Sequence, residues 1–131
     1  MSRADVSPVD TERAARIDLA AVRHNVGVLQ ERIRRPDGSR PLLTAVVKAD
    51  AYGHGAVAVA RAAAAAGADR LGVAHVREAL ALRAAGVRLP VLAWLHTGAT
   101  DFAAAVEAEV TLGVSGWDLD AVADAVRGLR A

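Results

Sequence analysis

Cysteine is absent from the 131 residues, which excludes a disulfide framework and a thiolate metal site and is compatible with a reducing compartment. Aromatics make up only 3% of a chain that is 53% hydrophobic, so the core is built from small aliphatics, alanine above all. That composition suits helices lying close on a sheet. Neither sign of charge dominates: 16 basic and 15 acidic residues leave a net charge of +1, with arginines scattered among acids. No electrostatic footprint points to nucleic acid or an acidic membrane. No stretch approaches the roughly 20 apolar residues that span a bilayer. Residues Met1 to Glu12 lack the apolar run of a signal peptide, so the cytoplasm is the expected location. His75 and His96 follow candidate strands, yet no histidine pair has the spacing of a compact zinc site, and no metal is expected.

What the chain does contain is an alternation of strand and helix signals. Residues 1–13 read as a disordered segment. Ala14 to Ile17 is a short strand candidate, and Asp18 is placed to cap the next helix by accepting hydrogen bonds from its free N–H groups. In that helix Leu19, Val22, Val26, Leu29 and Ile33 recur at spacings of three and four, one apolar stripe. A turn cluster, Pro36-Asp37-Gly38-Ser39, leads to the continuous apolar run Leu42 to Val47, the pattern of a strand covered on both faces.

The pattern then repeats. A helix over Ala56 to Ala66 stops at Gly67; Leu71 to Ala74 is a strand; Val76 to Ala85 is a helix closed by Gly86. Val91 to Leu95 is a strand, Thr100 is placed to cap a helix over Asp101 to Ala108, and Val110 to Val114 is a strand. Ser115 and Asp118 have the spacing of a capping box ahead of a last helix with Leu119, Val122 and Val126 on one face. Four such alternations imply parallel strands joined by helical crossovers. The expected fold is α/β: a partial (β/α)8 TIM barrel, about its first four βα units, preceded by a short strand and a helix. A complete barrel typically takes about 250 residues.

Chemistry concentrates in Ala45-Val46-Val47-Lys48-Ala49-Asp50-Ala51-Tyr52-Gly53-His54-Gly55, where an apolar strand opens into a glycine-bracketed turn. A lone strand-end lysine is usually a solvated cation. At the strand ends where α/β barrels keep their chemistry, however, burial penalises the ammonium and readies the amine to attack an aldehyde. Tyr52, on the same turn, can donate a hydrogen bond to a phosphate oxygen. Gly53 and Gly55 allow backbone conformations closed to other residues. Turn and capping roles account for Asp50 and His54, and Trp94 reads as a core or rim tryptophan.

Val46 to Gly55 resembles the pyridoxal phosphate (PLP) attachment motif of the alanine racemases. Arg16 to Asn25 resembles that family's opening strand and first helix, and Gly72-Val73-Ala74 with Glu78 to Arg83 its second strand and helix. The resemblance covers nearly everything after the first dozen residues, assigning residues 14–131 to the N-terminal part of the racemase barrel. It implies PLP as cofactor, held as an aldimine on Lys48, which then acts as one of two bases at the α-carbon. It implies that Tyr52 contacts the cofactor phosphate. The reaction implied is interconversion of L- and D-alanine for cell-wall D-alanine supply, in a homodimer whose partner subunit contributes the opposite-face base. A non-enzymatic PLP-binding protein of the related single-barrel type, an inactive truncated remnant and a basic PLP decarboxylase are the competing readings. The Asp50 to Gly55 signature favours the racemase.

Overall fold

The computed structural model describes residues 14–130; the disordered segment expected over residues 1–13 lies outside them. The chain runs α1 (Leu19–Arg32), β1 (Thr44–Val46), α2 (Lys48–Gly53), α3 (Ala56–Ala65), β2 (Arg70–Val73), α4 (Val76–Ala84), β3 (Val91–Ala93), α5 (Phe102–Glu107), β4 (Val110–Leu112) and α6 (Leu119–Leu129). The strands form one parallel sheet in sequential order, β1-β2-β3-β4. Each strand therefore lies beside its predecessor, as in a barrel and unlike a doubly wound sheet. The expected α/β partial barrel of four βα units is present. Among the described residues, no helix is long and apolar enough to cross a membrane.

Alternation along each strand separates two faces. Ala45, Val47, Leu71, Val73, Val91, Ala93 and Val110 point toward the helices and join the main apolar cluster. The largest fully buried side chains are Leu71, Leu82, Val47, Val73 and Val91 among the aliphatics, each contributing about 1.5–3 kcal/mol. Between them sit Ala60, Ala79 and Ala105, all at 0% exposure; a methyl group there lets each helix axis approach the sheet closely. The opposite face carries Thr44, Val46, Gly72, Leu92, Trp94 and Thr111. The two-sided burial expected of Leu42 to Val47 is not found, since Val46 is 43% and Leu42 59% exposed. Among the described residues no second half of a barrel lies across that face.

Several local expectations shift. Ala14 to Ile17 forms no strand pairing and is largely exposed, because β1 is hydrogen-bonded to β2 alone. Asp18 caps α1, its carboxylate accepting from Ala20 N at 2.9 Å and Ala21 N at 3.0 Å. Leu29 departs from the apolar stripe of that helix and is 51% exposed. Thr100 does not cap α5: its hydroxyl accepts from Thr97 N at 2.9 Å, leaving Asp101 to accept from Ala104 N at 2.9 Å. Of the expected capping box, the Asp118 half is present. That carboxylate is 2% exposed and accepts from Ser115 N at 2.7 Å.

Polar ties close the end of the sheet where the strands begin. Arg83 donates to four backbone carbonyls, Val87 (3.0 Å), Leu89 (2.7 Å), Ala108 (2.9 Å) and Glu109 (3.3 Å), binding the end of α4 to the start of β4. Arg40 forms a two-pronged pair with Asp69 at 2.6 and 3.1 Å, and the same carboxylate accepts from Leu43 N at 2.7 Å. The Arg40 guanidinium, assisted by the Leu43 amide, holds the Asp69 carboxyl at about 2. An unfolded aspartate titrates near about 3.9, so the folded state binds this proton less readily. The resulting stability is present above the unfolded value and is lost as pH falls toward about 2. Urea unfolding followed from neutral pH down through this window should show Asp69→Asn to be less stable than the parent at neutral pH and less sensitive to acid. Parallel pH curves for the two proteins would remove Asp69 from the acid response.

Candidate functional site

Lys48 stands two residues past the end of β1, directly after Val47, which is 1% exposed and donates its N–H to Gly72 O at 2.8 Å. The ladder with β2 thus extends to the residue before the lysine, and then the chain turns in an unusual sense. Ala49, Asp50, Ala51 and Tyr52 all have φ between 51° and 56° and ψ between 39° and 49°. Four consecutive non-glycine residues wind one left-handed turn, a conformation that sets Cβ against the following carbonyl and costs about 1–2 kcal/mol per residue. Gly53 (φ 81°) and Gly55 (φ 91°) continue the positive-φ run on either side of His54, where glycine carries no such penalty.

Hydrogen bonds hold the turn at its entry, middle and exit. Ala51 N donates to Val47 O at 2.9 Å and Gly55 N to Asp50 O at 2.9 Å. His54 Nδ1 lies 2.9 Å from Ala51 O and 3.1 Å from Tyr52 O, so the ring bonds with the turn's own carbonyls when that nitrogen carries hydrogen. At the exit, the Asp50 carboxylate accepts from Ala56 N at 2.7 Å, satisfying a free donor at the start of α3. At the entry, Glu78 Oε1 accepts from Ala49 N at 2.7 Å while Oε2 accepts from Ala74 N (2.9 Å) and His75 N (2.8 Å). Partial burial pushes the Glu78 carboxyl up, but its three backbone donors outweigh this and hold it below the ordinary carboxylate range.

Side chains around the lysine follow from that backbone. Lys48 is half-buried, and its Nζ lies 5.7 Å from the centroid of the Tyr52 ring, within cation–π range. Tyr52 is 65% exposed. Lys48 is the only lysine in the chain and Tyr52 the only tyrosine. Trp94 lies over β2 on the inner face: a Cβ added to Gly72 would come within 2.9 Å of its Cζ3. Glycine at position 72 therefore makes room for the indole, which forms a flat apolar wall on the face shared with the strand ends. Lysine amine and tyrosine ring thus lie together at the strand-end turn, while the indole lies over Gly72 on the inner face.

The histidines fall elsewhere. His75 begins α4, its Nδ1 lying 3.2 Å from Leu95 O, and His96 Nε2 lies 3.0 Å from Gly113 O with its ring edge-on to Phe102. Among the described residues, no group of three or more His, Asp or Glu side chains is placed to hold a metal. Sequence reasoning passed over Glu78, which in the sequence is one acid in a helical first turn. Its spacing of three from His75, a capping-box pattern seen here in its acidic half, was the available signal.

A model of the family described as "Alanine racemase, N-terminal domain" matches residues 17–130. An alanine racemase of Mycolicibacterium smegmatis is 59% identical over 99 residues, covering 76% of this chain and 24% of the relative. One from Mycobacterium avium is 56% identical over 114 residues, covering 86% and 28%. Among solved structures, alanine racemase from Streptomyces coelicolor A3(2) superposes with a TM-score of 0.79 at 48% identity, covering 88% of this chain and 30% of that one. The enzyme from D-cycloserine-producing Streptomyces lavendulae gives 0.80 at 49%, covering 86% and 28%. The chain spans about a quarter of the length of the curated relatives it matches.

The strain in the lysine turn is directly testable. Ala49→Gly should be neutral to stabilising, by up to about 1 kcal/mol, because relief of the left-handed penalty exceeds the extra chain entropy of glycine. Ala49→Val should destabilise by at least about 1 kcal/mol, since a β-branched side chain tolerates positive φ worst. Denaturant unfolding reads both. A stabilising valine would contradict the left-handed geometry.

Proposed function

Because the chain belongs to the alanine racemase N-terminal domain family, we propose that it supplies the cofactor-bearing lysine of an enzyme that interconverts L- and D-alanine with pyridoxal phosphate. The observation that carries this reading is Lys48 held at the C-terminal end of β1 by a left-handed turn, with Tyr52 beside it. Chemistry in α/β barrels gathers at that end of the strands.

In this reading the Lys48 amine is the point of covalent attachment. With its amine free, Lys48 would serve as a base that takes or returns the α-proton on its own face. Pyridoxal phosphate supplies, when bound, the electron sink for the pair left at the α-carbon. The Tyr52 hydroxyl would donate to the phosphate, and its ring, 5.7 Å from the lysine nitrogen, would steady the lysine. Trp94 would cover Gly72 on the inner face. Inversion needs a second base on the opposite face, and Tyr52, four residues beyond Lys48 on the same turn, would serve the lysine's own side instead. In this reading the opposite-face base would come from the partner subunit of a dimer whose subunits share active sites. The D-alanine made would serve cell-wall synthesis in the cytoplasm.

The test is turnover in the full-length protein that carries this chain, with D-alanine read by a D-amino-acid oxidase assay. Lys48→Arg keeps the charge but cannot be freed as a neutral base, and should lower turnover at least about a hundredfold. Tyr52→Phe should weaken PLP retention by about 1.5–3 kcal/mol, one hydrogen bond to a charged group, measured by PLP titration of the cofactor-free protein. Full turnover in Lys48→Arg would overturn the function. Unchanged PLP affinity with lost turnover in Tyr52→Phe would make Tyr52 a proton carrier instead.

A further inference from the structure

We infer that Glu78 is a positioning residue for Lys48, acting through the Ala49 amide; the inference rests on the reading of Lys48 as the cofactor lysine. Starting α4 requires only one of its carboxylate oxygens. Oε2 meets that need, accepting from Ala74 N and His75 N at 2.9 and 2.8 Å. Oε1 does something no helix start requires: it reaches 29 residues back along the chain to accept from Ala49 N at 2.7 Å. That N–H belongs to the peptide bond leaving Lys48. Fixing its direction fixes the backbone rotation at Lys48, and with it the line along which the lysine side chain leaves the strand.

The surroundings make this bond consequential. It lies at the entry of a turn whose four left-handed residues are each uphill of the right-handed form, so the turn persists only while its ends are held. Asp50 holds the exit through Ala56 N; among the described residues Glu78 is the side chain holding the entry. The same carboxylate binds the segment after β2, and Ala74 O there accepts from Trp94 N at 3.3 Å and Leu95 N at 2.8 Å. One acid thus couples the lysine turn to the strand end that carries the indole wall. A charged acceptor placed on two loops at once gives a fixed distance between them.

Glu78→Gln separates the two duties. With its amide oxygen turned toward Ala74 and His75, the start of α4 is kept, while the NH2 group faces the Ala49 N–H, donor against donor. Three measurements on the full-length protein decide the matter. In the cofactor-free form, amide exchange across residues 48–54 should quicken about tenfold while that of α4 is unchanged. PLP affinity should fall about tenfold, and the pH at which the lysine-bound cofactor's absorbance band titrates should shift. Arg83→Ala, at the far end of α4, is the control: it should lower thermal stability and move neither the absorbance titration nor the exchange of the lysine turn. Parental exchange at the turn in Glu78→Gln, or a loosened turn with unchanged PLP affinity and absorbance, would overturn the inference. If the parent protein itself binds no PLP on Lys48, the proposed function fails instead. The exchange measurement then still decides whether Glu78 fixes the lysine's turn.

Discussion

The contact from the Glu78 carboxylate to the Ala49 amide joins two loops that are remote in sequence and adjacent in space, and the geometry around Lys48 depends on it. A right-handed continuation after Val47 would be the lower-energy local choice for Ala49-Asp50-Ala51-Tyr52. Bonds from Glu78, Asp50 and His54 hold the chain in the opposite winding. Ala51 tucks its methyl into the core at 6% exposure, adding burial to the polar restraints. The local strain and its compensation lie within a few residues of the lysine, where strain is commonly found in sites that must be pre-organised.

The two ends of the sheet do different work. At the end where strands begin, Arg83 satisfies backbone carbonyls and the Arg40–Asp69 pair holds the Leu43 amide, binding consecutive βα units together. At the end where strands finish, Lys48, Tyr52, Trp94 and His75 gather, and the bonds there fix directions of side chains and loops. Stability and chemistry are separated in this way across α/β barrels. The alanine-rich core serves both ends, since methyl groups at Ala60, Ala79 and Ala105 bring the helices close enough for their first turns to reach the strand ends.

Much of the fold was legible in the sequence because it rests on periodicity. Val47, Leu71, Val73 and Val91 stood out as apolar strand residues, and Gly67 and Gly86 as helix stops, since those signals are local. Misread features depended on competition between neighbours. Thr100 and Asp101 both suit a helix cap, and the 97–100 turn takes the threonine. Ala14 to Ile17 has strand composition, but β1 offers it no ladder. The place of Lys48 at a strand end followed from the apolar run before it. The handedness of the turn after it could not be read, because Ala49, Ala51 and Tyr52 carry no signal for positive φ and Asp50 alone tolerates it readily. For Glu78 the spacing from His75 signalled only the helix-start half of its role, because the other half is a contact 29 residues away.

The central claim is that the strand-end turn presents Lys48, the only lysine of this chain, as the residue that bonds covalently to the cofactor. Borohydride reduction of the PLP-loaded full-length protein, followed by peptide mapping, measures this most directly. The account predicts a pyridoxyl group on the peptide containing Lys48. A pyridoxyl group on any other amine, with the Lys48 peptide unmodified, would contradict it.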